Sequence, residues 1–304
     1  MNGLLIVAGC AILWIGGELL VRGARDLARA LGLSSLVVGL TVVAFGTSSP
    51  ELAATLTAAY QGAPDVAFGN VVGSNLANLG LILGLTALLW PLETHARLLF
   101  REMPFMVLAS LLLFLVVRDL SLTRFEGIAF LALLAVFLIY LVRCEAGSAV
   151  SNDATSGAKW LSLVLVAVGI LLLTFGARAL IAGAVGTARG MGISERVIGL
   201  TMVAIGTSLP ELASCLVAAR HREGDIVLGN LIGSNIFNIL CILGVTAAVH
   251  PFAIHGEGVW VDLTAMLAMS VLIWPFLATG MRIQRWEGGV LLAGYLAYIG
   301  FLFA

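Results

Sequence analysis

The chain has 304 residues, 61% of them hydrophobic and only 11% charged, against ~25% charged in a soluble domain. A mean hydropathy of +1.09 and repeated apolar runs of 18 or more residues place it in a bilayer. A net charge of −1 excludes a nucleic-acid partner, and continuous apolar runs exclude a membrane β-barrel, which needs alternating ~10-residue segments.

In chain order, ten spans can be drawn, at roughly 3–21, 34–60, 65–89, 98–117, 124–143, 159–177, 194–219, 224–249, 257–279 and 285–303. The first lacks a basic leader and a cleavage site and reads as a retained span. The first and sixth are expected to run on as long tilted helices, through Ala30 and Gly190. Only 144–158 (CEAGSAVSNDATSGA) reads as a linker, small and polar. The expected organisation is therefore a first five-helix half at 1–143, a short cytoplasmic linker at 144–158 and a second five-helix half at 159–304.

An odd number of spans per half makes the second half enter the membrane from the opposite side, so the halves are inverted about an axis in the membrane plane. Counting basic residues orients the chain. With the N-terminus outside, the inner loops and flanks hold eleven of them, Arg22, Arg25, Arg29, Arg97, Arg101, Arg143, Lys159, Arg220, Arg222, Arg282 and Arg285. The outer ones hold four, Arg118, Arg124, Arg189 and Arg196, so both termini are predicted outside. Trp90, Trp160, Trp260 and Trp286 near span ends fit an interfacial belt.

The halves repeat a text. Positions 39–88 match 199–248 at 27 of 50 places without a gap, which reads as a duplication. Each copy buries one carboxylate, Glu51 or Glu211, inside an apolar run, where a charge costs at least ~2.5 kcal/mol and marks function. These glutamates close the hexapeptides GTSSPE (46–51) and GTSLPE (206–211). Pro50 and Pro210 withhold a donor from the carbonyls of Gly46 and Gly206, giving helices broken near the midplane. Thr47, Ser48 and Glu51, and likewise Thr207, Ser208 and Glu211, stand at i, i+1 and i+4 and are expected on one helical face. Carboxylate, hydroxyl and carbonyl oxygens are what a hard cation such as Ca²⁺ takes, and Na⁺ uses the same donors.

A second motif, GNVVGSNLAN (69–78) and GNLIGSNIFN (229–238), spaces Ser74 from Asn78 and Ser234 from Asn238 by one helical turn. Gly69 with Gly73, and Gly229 with Gly233, are expected to let helices approach closely. Asn70, Asn75, Asn230 and Asn235 are either site groups or interhelical bridges.

Other polar residues carry weaker signals. Glu18 and Arg178, 160 residues apart, either pair with each other or face a water-filled cavity. Asp65 and Asp225 open their spans, as helix-terminal carboxylates or, in the alternative, as a cation-attracting mouth. His95, His221, His250 and His255 lack metal-ligand spacing, and Cys10, Cys144, Cys215 and Cys241 form no CxxC pair, so neither a zinc site nor a disulfide framework is implied.

GTSxPE paired with GNxxGSN, twice, resembles the α-repeats of the sodium/calcium exchanger family, within the cation/Ca²⁺ antiporter superfamily, and the resemblance covers nearly the whole chain. It implies an all-α fold of ten transmembrane helices in two inverted five-helix repeats, in the plasma (inner) membrane. It implies ligands at Ala44 (carbonyl), Thr47, Ser48, Glu51, Ser74 and Asn78, and at Ala204 (carbonyl), Thr207, Ser208, Glu211, Ser234 and Asn238. Many relatives carry Asp where this chain has Asn238, an Asp tied to K⁺ in the potassium-dependent branch, so potassium dependence is not expected. The short linker leaves no room for a Ca²⁺-sensing domain.

The expected activity is Na⁺/Ca²⁺ antiport by alternating access, with the two ions as substrates, no cofactor and membrane lipid as the surroundings. An H⁺/Ca²⁺ or other divalent exchanger is the alternative, and a passive cation channel a further one. No metal motif or nucleophile–base pair supports an intramembrane enzyme.

Overall fold

A computed structural model describes residues 2–145, 156–191, 204–255 and 258–302. The chain is helical nearly throughout. Helices are numbered here α1 (Asn2–Leu31), α2 (Ser35–Thr47), α3 (Ser49–Tyr60), α4 (Pro64–Leu89), α5 (Leu98–Asp119), α6 (Arg124–Glu145), α7 (Ser156–Gly190), α8 (Ala204–Thr207), α9 (Leu209–Arg220), α10 (Gly224–Val249), α11 (Val259–Ala278) and α12 (Arg285–Leu302). Among the described residues seven helices are long and apolar enough to cross a membrane, and eight if α2 and α3 form one bent span. The expected linker falls mostly outside the described residues, as does the start of the expected seventh span, with Arg196.

Local chemistry explains where helices start and stop. Ser34 caps α2, its side chain accepting from the Val37 N–H at 3.3 Å. Thr123 and Glu126 form a reciprocal capping box at the start of α6, with both Thr123 donors 2.7 Å from Glu126 Oε2. Gly32, at φ +67°, ends α1 in a left-handed turn closed by Leu33 N–H to Ala28 O at 2.9 Å. α1 has 30 residues and α7 has 35, so each is ~45 Å or longer at 1.5 Å per residue, which exceeds the ~30 Å hydrocarbon core and requires tilt.

The chain packs as two compact units, one of Met1–Pro50 with Ser148–Asn230 and the other of Glu51–Gly147 with Leu231–Ala304. Each draws on both copies of the repeat. In the first unit α1 and α7 run antiparallel along a seam of glycines. A Cβ at Gly9 would stand 2.9 Å from Gly176 O, one at Gly16 would stand 3.0 Å from Gly169 O, and one at Gly23 would stand 3.0 Å from Ser162 O. Such backbone contact is how membrane helices gain packing where lipid offers no hydrophobic drive.

In the second unit two short antiparallel ladders exchange partners between the halves. Leu92–Glu93 pairs with Arg282–Ile283, and Ser121–Leu122 with Phe252–Ala253. Ser110 of α5 lies 3.4 Å from Ser270 of α11, its counterpart 160 residues on. Gly84 of α4 packs on the backbone of α12 near Leu292, and Gly127 of α6 on α10 near Ala248.

Candidate functional site

Both copies of the GTSxPE motif break at the same place. Thr47 ends α2, Ser48 leaves the helical region at φ −83°, ψ 3°, and α3 resumes at Ser49, bent by 43°. Ser208, at φ −88°, ψ 5°, separates α8 from α9 in the same way. The cause is the proline two residues on, which supplies no N–H to the carbonyl of Gly46 or Gly206. The expected single helical face of Thr47, Ser48 and Glu51 is therefore corrected: each triad straddles a break, with its glutamate in the first turn of the second piece.

In the first unit the Ser48 hydroxyl donates to Glu211 Oε1 at 3.1 Å, and Glu211 is buried. Glu211 Oε2, Ser208 Oγ and Thr207 Oγ1 are buried with no protein hydrogen-bond partner. The Thr47 hydroxyl has acceptors at Asn230 Oδ1 and Val43 O, both 3.1 Å away, and at Ala44 O, 3.4 Å away. The Ala44 carbonyl also accepts the Ser48 N–H at 3.0 Å. The side chain of Ala204 lies outside the described residues.

In the second unit Ser74 Oγ, Asn78 Oδ1 and Asn238 Oδ1 are likewise buried with no protein partner, and Glu51 and Ser234 are buried. Asn238 Nδ2 donates to Asn75 Oδ1 at 3.0 Å, and Asn78 Nδ2 to Asn235 Oδ1 at 3.5 Å, a reciprocal exchange between the copies. Asn75 Nδ2 lies 3.5 Å from the Asn235 carbonyl. Both helices widen to π-helical turns here, over Ala77–Ile82 and Asn238–Leu243, a local irregularity that often marks functional positions.

An orphaned buried oxygen forfeits about 1–3 kcal/mol. Six of them, three in each unit, lie on predicted ligand positions, and all are oxygens, the donor type a hard cation takes.

Several residues have roles that spacing alone did not reveal. Asn70 donates to Thr55 Oγ1 at 2.9 Å, and Asn230 donates to Ser214 Oγ at 3.1 Å, so these asparagines bridge to the neighbouring helix. Thr55 and Ser214 lie outside both motifs, and only their place one helical turn after the glutamates could have drawn attention to them. The expected close-packing face at Gly69 and Gly73 is corrected: a Cβ at either would meet nothing within 4 Å. At Gly229 the expectation holds, since a Cβ there would stand 2.6 Å from Leu36 O.

Glu18 does not pair with Arg178, which is exposed. Its carboxylate meets His221 Nε2 at 2.8 Å and Arg220 at 3.9 Å, on a cavity of about 190 Å³ that Arg22 and Arg25 also line. Asp65, in the first turn of α4, also accepts the His255 N–H at 2.7 Å and so ties down a loop.

The family model described as "Sodium/calcium exchanger protein" matches residues 2–143 and 161–304. The putative antiporter CaxA of Alkalimonas amylolytica is 38% identical, over 98% of this chain and 98% of its own length. The sodium/calcium exchanger MaX1 of Methanosarcina acetivorans is 32% identical over 100% and 99%, and the inner membrane protein YrbG of Escherichia coli is 34% identical over 98% and 96%. Structures of the sodium-calcium exchanger NCX_Mj align with a TM-score of 0.88 at 32% identity, covering 98% of this chain and 97% of theirs. The chain is a multi-pass integral membrane protein, and it belongs to the sodium/calcium exchanger family.

Proposed function

We propose that the chain is a secondary antiporter that exchanges Na⁺ for Ca²⁺ by alternating access, on a scaffold of ten spans arranged as two inverted five-helix halves, 1–143 and 159–304, joined by the 144–158 linker. The observation that carries this reading is the set of buried oxygens without a protein hydrogen-bond partner at the second helix break and on the GNxxGSN helices, in which Glu211 Oε2 is the carboxylate member. Glu51, Glu211, Thr47, Thr207, Ser48, Ser208, Ser74, Ser234, Asn78 and Asn238, with the carbonyls of Ala44 and Ala204, supply the ligands. Two carboxylates balance one Ca²⁺. The same oxygens serve Na⁺ at lower charge, and ligands that two cations share cannot hold both fully, which couples the fluxes. The antiparallel packing of α1 on α7, equivalent helices of the two halves, supports the inversion. Both termini lie outside, and the chain resides in the inner membrane.

The test is Ca²⁺ uptake into proteoliposomes of the purified chain under an outward Na⁺ gradient, an outward H⁺ gradient or neither. Uptake that requires the Na⁺ gradient supports the proposal. Uptake driven only by protons replaces Na⁺ with H⁺ as the coupling ion, and gradient-independent uptake replaces the antiporter with a channel.

A further inference from the structure

Asn230 is buried, yet its position in GNLIGSN gives it no place among the ligands. Its surroundings in the first unit form a chain of hydrogen bonds with a defined direction. The Ser214 hydroxyl gives its proton to the Glu211 backbone carbonyl at 2.9 Å, so Ser214 Oγ has only lone pairs to offer. That requires the amide nitrogen of Asn230 to face it, at 3.1 Å, and the same nitrogen reaches Cys215 Sγ at 3.5 Å. Asn230 Oδ1 then faces the other way, onto Thr47 Oγ1 at 3.1 Å, as an acceptor. An amide turned around would donate to Thr47 and occupy a lone pair there, and would leave two acceptors opposed at Ser214.

We infer that Asn230 is a positioning residue for cation binding: the Glu211 carbonyl, Ser214 and Asn230 form a polarity relay that draws off the Thr47 hydroxyl proton and leaves the Thr47 lone pairs for the cation. This rests on the reading of Thr47 as a ligand. Without Asn230, the acceptors within reach of that proton include Val43 O, Ala44 O and the Glu211 carboxylate. The last two are themselves predicted ligands, so donating to either would take a lone pair from the cation. The first copy anchors its asparagine on a different residue. Ala54 stands where the second copy has Ser214, and Asn70 is bonded to Thr55 Oγ1 at 2.9 Å and lies 3.4 Å from the Glu51 carbonyl. The hydroxyl that Asn70 meets stands one position later in its copy than the one Asn230 meets.

The experiment measures the half-saturating Ca²⁺ concentration and the maximal rate of ⁴⁵Ca²⁺ uptake in proteoliposomes for T47V, N230L, S214A and the double variant T47V/S214A. S214A removes one hydroxyl and leaves the Asn230–Thr47 contact in place, so it reports even if N230L fails to fold. The relay predicts that T47V and S214A each raise the half-saturating concentration about three- to tenfold with little change in maximal rate, and that the double variant is no worse than T47V alone. An S214A protein with unchanged half-saturation beside an impaired T47V overturns the relay and leaves Thr47 as a ligand. Effects of T47V and S214A that multiply in the double variant also overturn it, because the two residues then act independently. T47V without effect overturns the ligand reading of Thr47 itself, and the relay with it.

Discussion

The seam between α1 and α7 makes a quantitative prediction. A Cβ on Gly16 would stand 2.8 Å from Leu173 N, 3.0 Å from Gly169 O and 3.0 Å from Leu172 Cβ. Two of these are backbone atoms in the middle of a helix, so neither can swing aside. G16A therefore forces the helices apart by several tenths of an ångström at this point, and the neighbouring contacts at Gly9 and Gly23, in register along the same seam, loosen with it. Overpacking of this kind costs about 1–3 kcal/mol, and the helix-propensity gain of alanine over glycine is common to any such change in this helix, so G16A should fall about 1–3 kcal/mol below a change that meets no neighbour. G3A on the same helix is the control, since a Cβ there meets nothing within 4 Å. Reversible unfolding of both variants in mixed detergent micelles measures the difference. A G16A protein as stable as G3A would refute the claim that backbone contact holds α1 to α7.

Further expectations concern the two motif copies. G229A should lose about 1–3 kcal/mol in the same assay because its Cβ would press on Leu36 O at 2.6 Å, whereas G69A at the equivalent position should be neutral. Equal effects would mean that the copies pack alike. N238D sets a carboxylate oxygen against Asn75 Oδ1, now 3.0 Å from the Asn238 amide, and should destabilise the cation-free protein by about 1–3 kcal/mol. The added charge should also enlarge the stabilisation by Ca²⁺, so thermal unfolding in chelator and in millimolar Ca²⁺ should diverge more than for wild type. A smaller Ca²⁺ shift would remove position 238 from the ligand set.

Much of this architecture can be read from the amino-acid sequence, for identifiable reasons. Apolar runs long enough for a bilayer mark the helices, and the extension of α1 and α7 past the hydrocarbon shows in their unbroken periodicity to Leu31 and Gly190. The prolines at 50 and 210 announce the breaks, although the irregular residue proves to be the serine two positions earlier. What stays hidden is contact between distant segments. Thr47 and Asn230 are 183 residues apart, and no local pattern brings them together. Nor does a duplicated motif disclose that Gly229 is crowded while Gly69 is open, because that depends on what packs against each copy. Glu18 illustrates the same limit: its counterpart by sequence is Arg178, but its partners are Arg220 at the end of α9 and His221 just past it.

The most direct test of the central claim is simultaneous measurement of ²²Na⁺ efflux and ⁴⁵Ca²⁺ uptake in the same proteoliposomes, for wild type and E211Q. Glutamine keeps an oxygen for the Ser48 hydroxyl, now 3.1 Å from Glu211 Oε1, so the fold should survive. A unit charge at ~4 Å is worth about 4 kcal/mol at an effective dielectric of ~20, so losing it should slow both fluxes by roughly 100-fold or more. The account predicts that the two fluxes rise together in wild type and vanish together in E211Q. Calcium uptake that proceeds without sodium efflux, or that persists in a folded E211Q protein, would contradict it.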